Sequence, residues 1–327
     1  MDIHAELGNN IRCLAKDDNH AILQITDKSG EGTMNMYMPF DGVMLSFNDM
    51  HMSSCESGFV LGKDIEVICF DHCREGRNEM EICPGTFSIL QEKQTRIDDR
   101  KYHKGHVEFP LNHFHGLSLC IEVKRAQEIL KKEFPGFSVD IMEIRKKFCN
   151  SGKPYILEED EYLERLVASL YYPPVNVKAE YYKIKVIELL LYFDSIDVRM
   201  ADNRYSQVYG STADKVRMVY EQITGNLSYH YTINELAAEY SISQTALKNS
   251  FKQVYGDSIY SFLRRYRINT AASMIIQNPD MNISQIAEKV GYDSAGKFSE
   301  AFKKIIGVSP VTYRNNKNYE EDSISEL

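Results

Sequence analysis

The stretch TINELAAEYSISQTALKNSFKQVYGDSIYSF, starting at Thr232, returns in altered form as MNISQIAEKVGYDSAGKFSEAFKKIIGVSPVTY, starting at Met281. Ile233, Leu236, Ala237 and Tyr240 match Ile283, Ile286, Ala287 and Val290 at an offset of 50. One inserted residue makes the offset 51, and Leu247, Phe251, Gly256, Ser258 and Phe262 then match Phe298, Phe302, Gly307, Ser309 and Tyr313. Shared apolar, glycine and serine positions mark a duplicated structural unit. Each copy reads as a short helix, a tight turn and a second helix, the arrangement that presents a helix to DNA.

In the first copy, Thr232 caps a helix through Tyr240 with Glu235 as its capping-box partner, and Ser243 caps the next helix. Leu247, Phe251 and Val254 are spaced to face inward. Ser243, Thr245, Lys248, Asn249 and Lys252 are left for DNA. Lysine donates to guanine or phosphate, asparagine binds adenine through two bonds, and threonine meets a thymine methyl or a phosphate. The second copy reads as a helix from Ser284 to Val290, a Gly291-Tyr292-Asp293 turn, and a helix from near Ser294 with Phe298 and Phe302 inward. Ser294, Ala295, Gly296, Lys297, Glu300 and Lys303 form its outer set, chemically weaker because Ala295 and Gly296 offer little base-edge hydrogen bonding and Glu300 repels phosphate unless it accepts from cytosine. Between the copies, SIYSFLRRYRINTAASMIIQ is one helix ending before Asn278-Pro279, with Arg264, Arg265 and Arg267 along it.

Working outward, the chain of 327 residues suits two domains. Its net charge of −9 is unevenly spread. Residues 211–318 hold 13 basic and 9 acidic residues, residues 1–210 hold 25 and 34, and 319–327 add four acids. The positive balance therefore sits on the repeat, as phosphate contact requires. Residues 21–123 carry short strand-like runs (AILQITD, TMNMYMPF, GVMLSFNDM, DIEVICFDH, NEMEI, GTFSIL, HVEFPL and GLSLCIEV). Their spacing predicts an antiparallel barrel or sandwich, with REGRN as a hairpin turn around Gly76. A barrel of this size holds one ligand.

His103, His106, His113 and His115 cluster in thirteen residues and are the candidate effector-binding residues. On a strand His113 and His115 share a face, yet no carboxylate or cysteine completes a ligand set at an evident spacing, so no metal site is assigned. Seven cysteines without zinc-type spacing are expected as reduced thiols. Period-3.6 patterning predicts helices in EVKRAQEILKKEF, SVDIMEIRKKF, EDEYLERLVASLYY and KAEYYKIKVIELLLYFDSI. The last has a broad apolar surface through Tyr181, Ile184, Ile187 and Leu191. The polar stretch 197–214 reads as the interdomain linker.

These readings give an α+β chain: a β-rich sensor domain over 1–125, a helical linker and dimerisation segment over 126–200, a two-unit DNA-binding domain over 211–318, and an acidic tail over 319–327. IAEKVGYDSAGKFSEAFKKIIGVSPVTYR resembles the signature of AraC/XylS-type transcription regulators, and the likeness extends over about 212–316. SQTALKNSFKQVYGDSIYSFLRRYR looks most similar to the PchR-like group, as do FDHCREGRNEME and FPLNHFHGLSLCIEV less specifically. The resemblance implies a sensor domain, often a cupin-like barrel, that controls transcription and communicates with RNA polymerase. For the PchR-like group it implies an iron- or siderophore-linked input. Glu300 departs from the basic or small residue common in such relatives. The expected partners are double-stranded DNA, a small-molecule effector, RNA polymerase and a second copy of the chain. No cofactor and no membrane are expected, and the cytoplasm is the expected compartment. No signal peptide, P-loop, dinucleotide fingerprint or catalytic triad order is present. The alternative is a metal-dependent cupin-type enzyme with an accessory DNA-binding tail.

Overall fold

A computed structural model describes residues 10–56, 65–83, 86–101, 105–150, 153–198 and 211–315. The chain divides into two compact units, Met1–Gln207 and Val208–Leu327. Residues 199–210, most of the expected linker, and the acidic tail lie outside the described residues.

The described residues of unit 1 hold eleven strands, of which the last follows two helices: β1 (Ile11–Lys16), β2 (His20–Asp27), β3 (Gly30–Phe40), β4 (Val43–His51), β5 (Ser54–Glu56), β6 (Val67–Cys83), β7 (Thr86–Gln91), β8 (Thr95–Asp98), β9 (His106–Glu108), β10 (Phe114–Glu122) and β11 (Tyr155–Leu157). The main path runs β1-β2-β3-β4-β10-β6-β8-β11, and β5, β7 and β9 form a second layer attached through β6. All these pairings are antiparallel. The result is a β half-barrel.

The expected REGRN hairpin is not formed. VICFDH, the end of the first run, and NEMEI belong to one continuous strand, β6. Its first half pairs with β10 and β8, and its second half with β7 and β9. The changeover follows a register shift between Cys73 and Glu75, and Gly76 just beyond it has φ 88°. A Cβ there would run into the His113 carbonyl. A bulge with glycine in the left-handed region bends a strand without ending it, so the signal taken for a turn is a corner between layers.

Helices α1 (Val123–Glu133) and α2 (Ile141–Cys149) follow β10, and α3 (Glu161–Leu170) and α4 (Lys178–Ser195) follow β11. They share one core with the main sheet. Leu45, Ile68, Phe70, Leu117 and Leu119 meet Leu130, Ile144, Phe148, Leu166, Val186 and Phe193 there. Phe70 and Phe193 stack with centroids 4.0 Å apart. The opposite face of the sheet buries Leu23, Met50, Met52, Cys73, Leu90 and Phe114 among others. β6 is thus covered on both faces, which is why Val67–Cys73 is buried throughout.

Strand β8 went unrecognised because TRID is rich in charge. Its charges are buried and paired. Asp71 lies 3.0 Å from Arg96 and 2.7 Å from Arg100, and accepts from Ser118 at 2.7 Å. Burial alone would raise the Asp71 carboxyl, but the Arg100 and Arg96 guanidiniums hold it well below the usual carboxylate range. Cys69 and Cys120 face each other across the β6–β10 ladder, Cα atoms 4.3 Å apart, with their sulfur atoms adjacent. Their separation of 51 residues left no spacing signal. Cys13, Cys55, Cys73 and Cys149 are free.

Unit 2 consists of α5 (Ser211–Gly225), α6 (Ile233–Glu239), α7 (Gln244–Tyr255), α8 (Ile259–Gln277), α9 (Ile283–Lys289) and α10 (Ala295–Ile306), with a further helical stretch over 310–315. Helix α5 starts at Ser211, inside the stretch read as linker. No helix among the described residues is long and apolar enough to cross a membrane.

Candidate functional site

Two pairs of helices joined by short turns, α6–α7 and α9–α10, stand at opposite ends of α8. Ile259 and Phe262 of α8 are buried near the first pair, while Ile268, Ala271, Ala272 and Ile275 join the core of the second. Nineteen residues make α8 a rod of about 28 Å.

The local reasons for each pair are parallel. Thr232 and Glu235 form a capping box on α6, and Asn282 and Gln285 form one on α9. The second box places the start of α9 at Ile283 rather than Ser284, a helix whose true cap the sequence reading passed over. Each box satisfies backbone donors that a first helical turn otherwise leaves open. Ser243 caps α7 by accepting from the Ala246 N–H at 3.2 Å, and Ser294 caps α10. Gly256 and Gly307 close the two outer helices in left-handed conformations, with φ 76° and 93°. That conformation is the common helix stop, and glycine adopts it freely.

On α7, Leu247, Phe251 and Tyr255 are buried and Val254 is half-buried. Tyr255, not Val254, completes the inward row, and it stacks on Tyr220 of α5 at 5.0 Å. Thr245, Lys248, Asn249 and Lys252 are all exposed at spacings of three and four, on one stripe. On α10, Phe298, Ala301 and Phe302 are buried, while Lys297, Glu300 and Lys303 are exposed and Ser294 is half-buried. At the offset of 51, Lys252 corresponds to Lys303 and Asn249 to Glu300.

The arginines of α8 divide. Arg267 donates to the Gly291 carbonyl at 3.3 Å and the Tyr229 carbonyl at 3.0 Å. It ties the second turn to the loop before α6, so its charge is structural. Arg265 lies 3.6 Å from Asp257.

The expected histidine group does not form one site. His103 lies outside the described residues. His106 sits on β9 with its Nδ1 2.7 Å from Glu56 and its Nε2 3.7 Å from Glu108. His113 and His115 lie elsewhere, and residues the sequence reading had not combined join them. Asp49 and His51 alternate along β4, 3.1 Å apart, and the His51 and His113 rings lie 5.1 Å apart. Glu75 approaches His113 to 3.7 Å, and His115 is register partner to both Asp49 and Glu75. Burial would raise the Asp49 carboxyl, but its His51 hydrogen bond and the nearby His51, His113 and His115 rings hold it well below the usual range. His113 lowers Glu75 in the same way, and burial lowers His115. Carboxylates do complete this cluster. The D-x-H alternation at 49–51 was the available signal, but only the β4–β10–β6 adjacency joins it to His113.

With this geometry in place, comparison with known proteins is informative. The helix-turn-helix domain family matches residues 236–316. A putative AraC-like transcription regulator of Streptomyces antibioticus is 32% identical over 89 residues, 27% of this chain but 29% of the relative's length. The HTH-type transcriptional activator AarP of Providencia stuartii is 30% identical over 92 residues, 28% of this chain and 67% of that protein. The Msm operon regulatory protein of Streptococcus mutans is 20% identical over 288 residues, 86% of this chain and 97% of that protein. Family matches concentrate on the two helix pairs whose outer helices carry the exposed polar stripes. The chain belongs to the AraC-like helix-turn-helix transcription regulators.

Proposed function

We propose that this protein is a ligand-responsive transcription regulator that binds double-stranded DNA in the cytoplasm through both helix pairs. The observation that carries this reading is the repetition of one design at the two ends of α8. In each pair the outer helix buries an aromatic row and exposes a polar stripe. A rod of about 28 Å suits outer helices aimed at successive major grooves, roughly 34 Å apart on one face of DNA. Ser243, Thr245, Lys248, Asn249 and Lys252 supply direct readout. Ser294, Lys297, Glu300 and Lys303 position the domain, with less base-edge chemistry.

Unit 1 acts as the sensor, its half-barrel working as a cupin-like ligand holder, with His113 and His115 on the effector side. An iron chelate is the effector that the PchR-like resemblance favours. The output is transcriptional activation, the role that AarP's name gives it, and RNA polymerase is the partner that this chain engages. Helix α4 joins two copies, a reading supported by Ile184 and Leu191, which stand 63% and 50% exposed and seven residues apart on it.

The test is selection of DNA sites with the full chain, followed by titration of variants on the selected site. Lys248→Ala and Asn249→Ala each weaken specific binding by about 1–3 kcal/mol. Lys297→Ala weakens binding to every sequence and lowers the salt slope by about 1. Unchanged curves for all three folded variants overturn the assignment of the reading faces.

A further inference from the structure

Asp49, His51 and His113 each offer one ligand atom, and the three atoms lie within 4.8 Å of one another. We infer that these residues form a binding site for a first-row transition-metal dication of the zinc or ferrous-iron class, with the Glu75 carboxylate beside His113.

Strand geometry builds the site. Asp49 and His51 are two residues apart on β4, so the pleat turns both to one face. The β4–β10 register pairs Met50 with Phe114, which sets His113 beside His51. The β6–β10 register pairs Gly76 with Phe114, and the Gly76 backbone lies against the His113 carbonyl. That close approach brings Glu75 to 3.7 Å from His113 Nε2. Three strands distant in sequence thus deliver two imidazoles and two carboxylates to one end of the sheet.

The donor set selects the ion. Imidazole nitrogen suits zinc, iron, nickel and copper, whereas magnesium and calcium prefer all-oxygen sites. Bonds of about 2.0–2.2 Å place tetrahedral ligand atoms about 3.4 Å apart. The 3.1 Å between His51 Nε2 and Asp49 Oδ1 already fits that edge, and small side-chain rotations close the wider ones. The His51 and His113 side chains are 23% and 17% exposed and the Asp49 side chain 37%. An ion held there keeps a face toward solvent, open to water or to a donor atom of a chelating molecule. The site itself requires no assumption about DNA. Its role as the regulator's input rests on the function proposed above.

The experiment is equilibrium dialysis of the metal-stripped full chain against zinc, with cobalt(II) as the spectroscopic probe. One equivalent per chain is expected, retained in millimolar magnesium, with cobalt d–d bands and no thiolate charge-transfer band. His51→Ala and His113→Ala, and Asp49→Asn, should each weaken zinc binding at least 10-fold. His106→Ala, on the separate Glu56–Glu108 contact, should leave it unchanged. Absence of stoichiometric binding to the wild-type chain overturns the inference, as does a thiolate band. Both readouts use the wild type and survive any variant that fails to fold. Retained binding in folded His51→Ala and His113→Ala also overturns it. DNA binding by the same metal-stripped preparation, measured in parallel, separates failure of this site from failure of the regulator reading.

Discussion

Ser241 and Gly291 occupy the same place in the two helix pairs, the turn residue that must enter the left-handed region. Their φ values are 49° and 81°. Glycine enters that region freely, whereas a residue with a Cβ does so at a cost of roughly 1–2 kcal/mol. Ser241→Gly should therefore stabilise unit 2 by about 0.5–1 kcal/mol, after the entropy that glycine gains in the unfolded chain. Gly291→Ala should destabilise it by roughly 2 kcal/mol or more, because the added Cβ also meets the Leu227 carbonyl and the Arg267 guanidinium. Urea melts of the two variants check both signs. His72 makes a different case. It is buried between Thr95, at 2.9 Å, and Glu164, at 3.3 Å. Burial pushes its imidazole down to about 4. An unfolded histidine, near 6.5, takes up its proton first as pH falls, so the stability tied to neutral His72 is full above that value and is lost toward pH 4. Unit 1 should lose about 2 kcal/mol from this group between pH 7.5 and 5. His72→Gln should flatten the dependence, as denaturant midpoints across that range would report. The glycine of the second turn was legible as a turn signal. The buried state of His72 was not, because β6 reads as half-exposed until helices cover its outer face.

At the scale of elements, α4 shows how one helix carries two apolar faces. Tyr182, Val186, Leu189, Leu190 and Phe193 point into the shared core. Ile184 and Leu191 point away. The broad apolar surface in the sequence was real, and packing divides it into a buried part and an exposed stripe. If the stripe joins two copies, Ile184→Glu and Leu191→Glu should weaken self-association at least 10-fold, about 1.4 kcal/mol, with unchanged helicity. Sedimentation of the full chain at micromolar concentration checks this, and a monomeric wild type removes the α4 dimer. Strand β6 teaches the complementary lesson. A glycine amid charged residues signals a break in regular pairing, but the partners β7, β9 and β10 decide whether the break is a hairpin or a bulge.

At the scale of the whole molecule, each unit carries a core of its own among the described residues. The core around Ile268, Ala272, Ile286, Phe298 and Phe302 draws entirely on unit 2. A fragment from Ser211 onward should therefore fold cooperatively by itself, with a melting transition of its own. It should bind the selected DNA at least 10-fold more weakly than the full chain if unit 1 holds two copies together, since linked modules gain effective concentration. Equal affinity of fragment and full chain, by titration at one salt concentration, removes that contribution.

The duplicated pattern at 232–262 and 281–313, its caps and its glycine stops were determined by the sequence alone, because caps, helical periodicity and left-handed residues are local physics. The exposed stripe of Thr245, Lys248, Asn249 and Lys252 followed from the same period. Tertiary structure alone decided the rest. Arg96 and Asp98 became strand residues because Asp71 and Arg100 neutralise them in a buried network. Cys69 found Cys120, and Asp49 and His51 found His113 and Glu75, because β4, β10 and β6 are neighbours in the sheet and far apart in the chain. Strand order is a long-range choice set by which faces can be buried together, and no window of sequence contains it.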